Sequence, residues 1–225
     1  MPSQIQVDKI IDSGSTTNKE LAEYSSSAWS WGSGVPANTI IKTYGKTFLG
    51  TQTVNTVNDN ANVDYSDTPS AWVLIGTGAS GANGDPLAIT TDTPLSSSSK
   101  YLLKAFVNHS RRQSGSAHMA WWYRTAGSSD AFVPIVRGID TGTSNWTRFA
   151  FGSGHNSTTS GSGNYGTRVG AMEYLWSPNS SNAFEIQIRM FVYSDVMYIN
   201  RPNNSDAHNY MGNQISTFLI QEIAG

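Results

Sequence analysis

Cysteine is absent from the 225 residues, and charged side chains are scarce at 13% of the chain. The first absence excludes a disulfide scaffold, thiolate-bound zinc and cysteine nucleophiles together. The second leaves 14 Lys and Arg against 16 Asp and Glu, a formal net charge of -2. There is no basic surplus for sequence-independent nucleic-acid binding, which runs on many cationic contacts to phosphate. Nowhere do about eighteen apolar residues follow one another, so no segment reads as a membrane-spanning helix. The opening Met1-Pro2-Ser3-Gln4 carries neither a basic cluster nor an apolar stretch, and does not read as a secretory leader.

Hydroxyls and amides take the place of charge. Ser, Thr and Asn supply about seventy residues and Gly 21 more, yet aromatics reach 11% with seven Trp. Disordered chains lack that aromatic mass. A chain rich in Trp, Tyr, Thr, Ser and Gly, and poor in Lys, Glu and Leu, reads as twisted sheet joined by polar loops. At this length one core can bury roughly 70% of the surface that the unfolded chain exposes.

The first 37 residues read as an arm and residues 38–225 as a head. In the arm, Ile5, Val7, Ile10 and Ile11 form a short apolar patch. Thr17 and Glu20 then offer a capping box, which predicts a brief helix through Leu21 and Tyr24 to about Ser27. Trp29 and Trp31 follow, and the run 32–36 reads as a flexible joint. Beyond it the pattern is strand-like, with strands predicted at 39–48, 71–76, 100–108, 117–124, 132–137, 167–176, 183–193, 196–200 and 214–223. In 183–193, Phe184, Ile186, Ile188, Met190 and Val192 share one face; Glu185, Gln187, Arg189, Phe191 and Tyr193 share the other. The fold class expected is all-β, an antiparallel, jelly-roll-like sandwich. In Met119-Ala120-Trp121-Trp122-Tyr123, large residues fall on both faces. Either a loop shields the outer Trp, or that face meets another subunit.

Chemistry-bearing motifs are weak by comparison. The run 76–81 has the spacing of a dinucleotide-binding loop, but 82–86 does not open the helix that must hold the pyrophosphate. Asn58, Asn60, Asn62 and Asp64 alternate like the start of a calcium loop, yet Val63 and Pro69 stand where Gly and Glu are required. The four histidines, His109, His118, His155 and His208, lack metal-ligand spacing, and Ser153 lacks the flanks of a nucleophile elbow. No metal and no cofactor is expected. Asp140, Glu173 and Glu185 are the carboxylates to weigh for glycoside hydrolysis, which in its retaining form needs two of them about 5 Å apart. Five Asn-x-Ser/Thr sequons are what an Asn- and Ser-rich chain produces by chance.

One signal remains. Trp146, Tyr165 and Tyr210 lie in predicted loops beside Asn145, Asn164 and Asn209, and Tyr65 lies in another. Aromatic faces stack on sugar C–H faces, and Asn both donates to and accepts from sugar hydroxyls. These residues either form a shallow glycan-binding rim or plug the end of the sandwich.

Several segments carry a resemblance. The opening 3–10 (SQIQVDKI), the junction 34–41 (GVPANTII), 98–103 (SSKYLL), 136–138 (VRG), 174–178 (YLWSP) and the closing 216–225 (STFLIQEIAG) resemble, in that order, appendage proteins of tailed phages, particularly those infecting marine cyanobacteria. The resemblance implies a homotrimeric jelly-roll head on an attachment arm at the virion surface, non-enzymatic and without cofactor. It implies a tail fibre that binds a host surface glycan, with virion proteins as partners of the arm through Ile5, Val7, Ile10, Ile11, Leu21 and Trp29. No nucleic-acid partner and no membrane insertion are expected. Thirty-five extended residues reach at most about 120 Å, which places the head near its platform. Two other readings fit the same residues: a capsid head-decoration protein, and a polysaccharide depolymerase.

Overall fold

Period-two sidedness is realised as strands among the described residues. The computed structural model describes residues 9–12, 19–25, 28–31, 35–55, 72–77, 86–111, 116–135, 151–154, 168–192, 196–201 and 214–225. Among them the elements are β1 (Lys9–Asp12), β2 (Lys19–Ser25), β3 (Ala28–Trp31), β4 (Ile40–Phe48), β5 (Gln52–Val54), β6 (Val73–Leu74), β7 (Ala88–Thr90) and β8 (Lys100–Arg111). There follow β9 (Ser116–Thr125), β10 (Val133–Pro134), β11 (Phe151–Gly154), β12 (Arg168–Trp176), β13 (Phe184–Val192), β14 (Met197–Ile199) and β15 (Ser216–Ile223). The protein is all-β, and every pairing between these strands is antiparallel.

The arm corrects one expectation. No helix forms over 19–25; the segment is β2, paired with β1 on one side and β3 on the other. Two turns of helix are marginal without packing, whereas flanking strands give the same backbone groups partners on both sides. The register sets Ile10 opposite Ala22 and Trp29 opposite Tyr24. Aromatic residues at 24, 29 and 31 favour this outcome.

From Ile40 onward the strands form two six-stranded sheets. Several short strands run end to end, so each sheet has four columns. In the first sheet the columns are β4 with β5, β15 with β14, then β8, then β12. In the second they are β7 with β6, then β13, β9, and β10 with β11. Counted along the chain as columns 1 to 8, the first sheet reads 1-8-3-6 and the second 2-7-4-5. Each of the nine strands expected from 39 onward overlaps one of these elements, and β8 and β9 run longer than expected. The three missed in that region, β5, β7 and β11, are three or four residues long, too short for alternation to register.

The sheets pack face to face through one core. Leu103, Ala105, Val107, Phe218 and Ile220 from the first meet Met119, Trp121, Ile186, Ile188 and Met190 from the second. At one end Tyr101 and Trp176 interlock with Tyr123 and Phe184, with ring centroids 4.7 Å apart for Tyr123–Trp176 and 4.9 Å for Trp176–Phe184. Such tilted pairs add about 1 kcal/mol each beyond burial.

Where columns change strand, a buried Asn closes the seam. Asn200 sits between β14 and β15 at φ 58°, a conformation that Asn tolerates better than most residues. Its amide nitrogen donates to the carbonyls of Phe48 at 2.7 Å and Gly50 at 2.9 Å, where β4 bends toward β5. Its side-chain oxygen accepts from the Ser216 hydroxyl at 2.6 Å, and that hydroxyl accepts from the Asn108 amide.

Candidate functional site

The two ends of the head differ. At one end the described chain enters through Val35–Thr39, where Asn38 donates to the Ala224 carbonyl and Ala224 donates to that of Thr39. Ile40, Ile223 and Lys100 share a row at this end. The opposite end is defined by Arg111 at the close of β8 and Ser116 at the start of β9. The chain leaves the described residues at Asn55, after Val54, which aligns through Met197 with Arg111. It leaves again after Gly154, opposite Ser116, and returns at Arg168, opposite His109. After Arg201, whose carbonyl accepts from Ser110, it leaves once more, returning at Gln214, which donates to Asn200. The segments that carry Tyr65, Asn164 with Tyr165, and Asn209 with Tyr210 are therefore rooted at the end remote from the arm junction. Across β8 the two ends lie about 40 Å apart. The segment with Asn145 and Trp146 is rooted at Ile135 and Phe151 on the β9 edge of the second sheet.

Trp146, Tyr165, Tyr210, Asn145 and Asn164 themselves lie outside the described residues, as do Ile5 and Val7. Ile10 and Ile11 fall in β1, Leu21 in β2 and Trp29 in β3, so the three-stranded arm sheet brings those four attachment candidates into one element. Compared with known proteins, the chain matches no family model and shows no significant match to a curated protein.

The outer face of the second sheet decides between the two explanations of the double tryptophan. Trp121 enters the core between the sheets. Trp122 points to the other side and is also fully buried, with Trp72 at 5.5 Å and Arg189 over its ring at 5.7 Å. Trp72 also lies 5.7 Å from Phe191, and the guanidinium groups of Arg124 and Arg189 lie 4.5 and 4.6 Å from the ring of Phe132. The chain shields Trp122 itself, so the double tryptophan is no sign of a neighbouring subunit.

Beside this aromatic layer runs a polar ladder that sequence reading did not single out as a unit. Arg124 donates to Glu185 at 2.8 Å, Gln187 donates to the other Glu185 oxygen at 2.8 Å, and Arg189 donates to Gln187 at 2.9 Å. The available signal was Glu185, Gln187 and Arg189 at alternate positions on the polar face of one strand. Burial lowers the pKa of Arg189 against the raising effect of Glu185. The ladder is a closed set of charge-assisted bonds that anchors Phe132 over the sheet.

These placements also bear on catalysis. Glu185 lies on the outer face of the second sheet, and Glu173 on the outer face of the first, paired with Lys104 at 3.2 Å. Packed sheets are about 10 Å apart and both side chains point away from the core, so these two carboxylates cannot meet at the spacing a retaining pair needs. Asp140 lies outside the described residues. The amide of Gly76, first in the glycine run, donates to the Gln52 side chain at 2.8 Å, so it is not presented to a phosphate. Among the described residues no group of three or more His, Asp or Glu is placed to hold a metal ion.

His118 stacks on Phe191 at 6.2 Å on the same outer face, and burial lowers its pKa to about 4. The unfolded value is about 6.5, so below that pH the unfolded chain takes up the proton first. The neutral ring's contribution is full above pH 6.5 and is lost as pH falls toward 4, up to about 3 kcal/mol. Urea titrations between pH 7 and 4 should show this loss in the parent chain and a smaller one in His118→Gln. Equal losses would place the titrating group elsewhere.

Proposed function

We propose that the protein is a non-enzymatic virion appendage: a trimeric jelly-roll head on an N-terminal arm, acting as a tail fibre that recognises a host surface glycan. The strand order supports the jelly-roll reading. Columns 1 and 8, 2 and 7, 3 and 6, and 4 and 5 pair in turn, as when one long antiparallel hairpin is wound into two layers. That architecture is common to viral capsid and lectin domains, an analogy of fold that favours both halves of the proposal.

The observation that carries the reading is the polarity of the head. The arm joins one end, and the segments with Tyr65, Asn164–Tyr165 and Asn209–Tyr210 are rooted at the other. An appendage must hold its particle with one end and meet the host with the other. A decoration protein has no such need for two distinct ends, so the tail-fibre reading is preferred over capsid decoration. The depolymerase reading loses the Glu173–Glu185 pair.

Binding of the full chain to a host-polysaccharide array tests the recognition half. A single aromatic stack contributes about 1 kcal/mol, so Trp146→Ala, Tyr165→Ala or Tyr210→Ala should each weaken binding roughly five-fold. An array without a ligand removes the glycan. The attachment half is tested in particles: deleting residues 2–31 should abolish incorporation, and particles of unchanged composition refute it.

A further inference from the structure

The outer face of the first sheet is unlike that of the second. There the chain lays Trp72 and Phe132 over the strands; here large apolar side chains face outward. Phe106 is 51% exposed, Val169 57%, Ile215 52% and Leu175 49%. The register places them together. Val169 sits opposite Asn108, whose side chain donates to the Ile215 carbonyl. Phe106 lies between Ala171 and Thr217, Lys104 between Glu173 and Leu219, and Leu102 between Leu175 and Gln221. Val169 and Leu175 belong to β12 and Phe106 to β8, Ile215 immediately precedes β15, and Ile40, 49% exposed, begins β4. The far column, β4, offers Thr43, Gly45 and Thr47 opposite Gln221, Leu219 and Thr217.

We infer that this face, centred on Phe106 and Val169, is the contact between copies of this chain. Two features select a second copy as the occupant. The first is area: four columns about 4.8 Å apart and eight residues about 3.3 Å apart give roughly 500 Å² per copy, near 1,000 Å² in all, the lower bound for a specific interface. The second is charge: the face carries Lys104 and Glu173 side by side at its centre. It therefore offers each sign to a neighbour presenting the same residues. The number of copies rests on the trimeric reading above; the identity of the face does not.

The test is sedimentation of the full chain together with Phe106→Lys and Val169→Asp, and with Asp130→Lys, in the exposed loop after β9 of the other sheet, as a control. The expected result is a trimer for the parent and for Asp130→Lys, and monomers for the other two with near-ultraviolet circular dichroism retained. Should a lysine or aspartate variant fail to fold, Val169→Cys supplies a second measurement. The chain has no cysteine of its own, so a short bis-maleimide can join copies only through residue 169. Covalent oligomers in good yield uphold the contact. A parent dimer broken by Phe106→Lys upholds the face and overturns the three-fold reading. A monomeric parent, or an oligomer untouched by both substitutions and not cross-linked at 169, overturns the inference; incorporation into particles then tests the appendage reading separately.

Discussion

Asn200→Ala should destabilise the head by about 4 kcal/mol, since buried groups left without partners cost about 1–3 kcal/mol each. The substitution strips partners from the carbonyls of Phe48 and Gly50 and from the hydroxyl of Ser216, all at the seam where two columns of the first sheet change strand. It also leaves alanine at φ 58°, without the polar side chain that lets Asn adopt this conformation, which costs about 1 kcal/mol more. Asn200→Gly removes the same hydrogen bonds without the backbone strain, so it should be the milder change by about that 1 kcal/mol. Urea unfolding of the three chains measures both differences. An alanine variant within 1 kcal/mol of the parent would show that the seam is held by the strands alone.

Trp122→Ala should cost about 4 kcal/mol as well, the usual range for emptying a packed indole site. The size of the effect matters less than its dependence on protein concentration. Trp72 and Arg189 cover the ring from within the same chain. The loss should therefore be the same in dilute and concentrated solution, and Trp72→Ala, which lifts the cover, should reproduce most of it. A penalty for Trp122→Ala that grows with protein concentration would place the indole against a neighbouring chain instead. The contrast with Phe106 is sharp: there the parent's stability should rise with concentration and the variant's should not.

How much was legible follows from what each signal requires. The strand 184–192 shows a clean alternation because one face meets the inter-sheet core and the other carries the Arg124–Glu185–Gln187–Arg189 ladder. The double tryptophan was legible as an anomaly but not as a cause. Trp72 lies 50 residues before Trp122, and no local pattern records that a distant residue folds over it. The capping box at Thr17–Glu20 misled because it reports local preference, and β1 and β3 supply non-local partners to the same backbone. Asn200 ends the strand expected at 196–200. Its hydrogen bonds to positions about 150 residues earlier could not be foreseen. For the site, the sequence offered residue types without their grouping. Shared rooting of three candidate segments at one end became visible only through the register of β5, β11, β12 and β14.

The central place of β15 has a consequence for how the molecule is made. This strand lies between β4 and β8, so its pairings span more than a hundred residues of chain on both sides. Until residues 216–223 emerge from the ribosome, β4 and β8 have no strand to join them, and each presents an open edge. Folding is therefore slow, in the range of milliseconds to seconds typical of high contact order, and is decided late. A chain lacking this strand keeps both edges open to pairing with another chain.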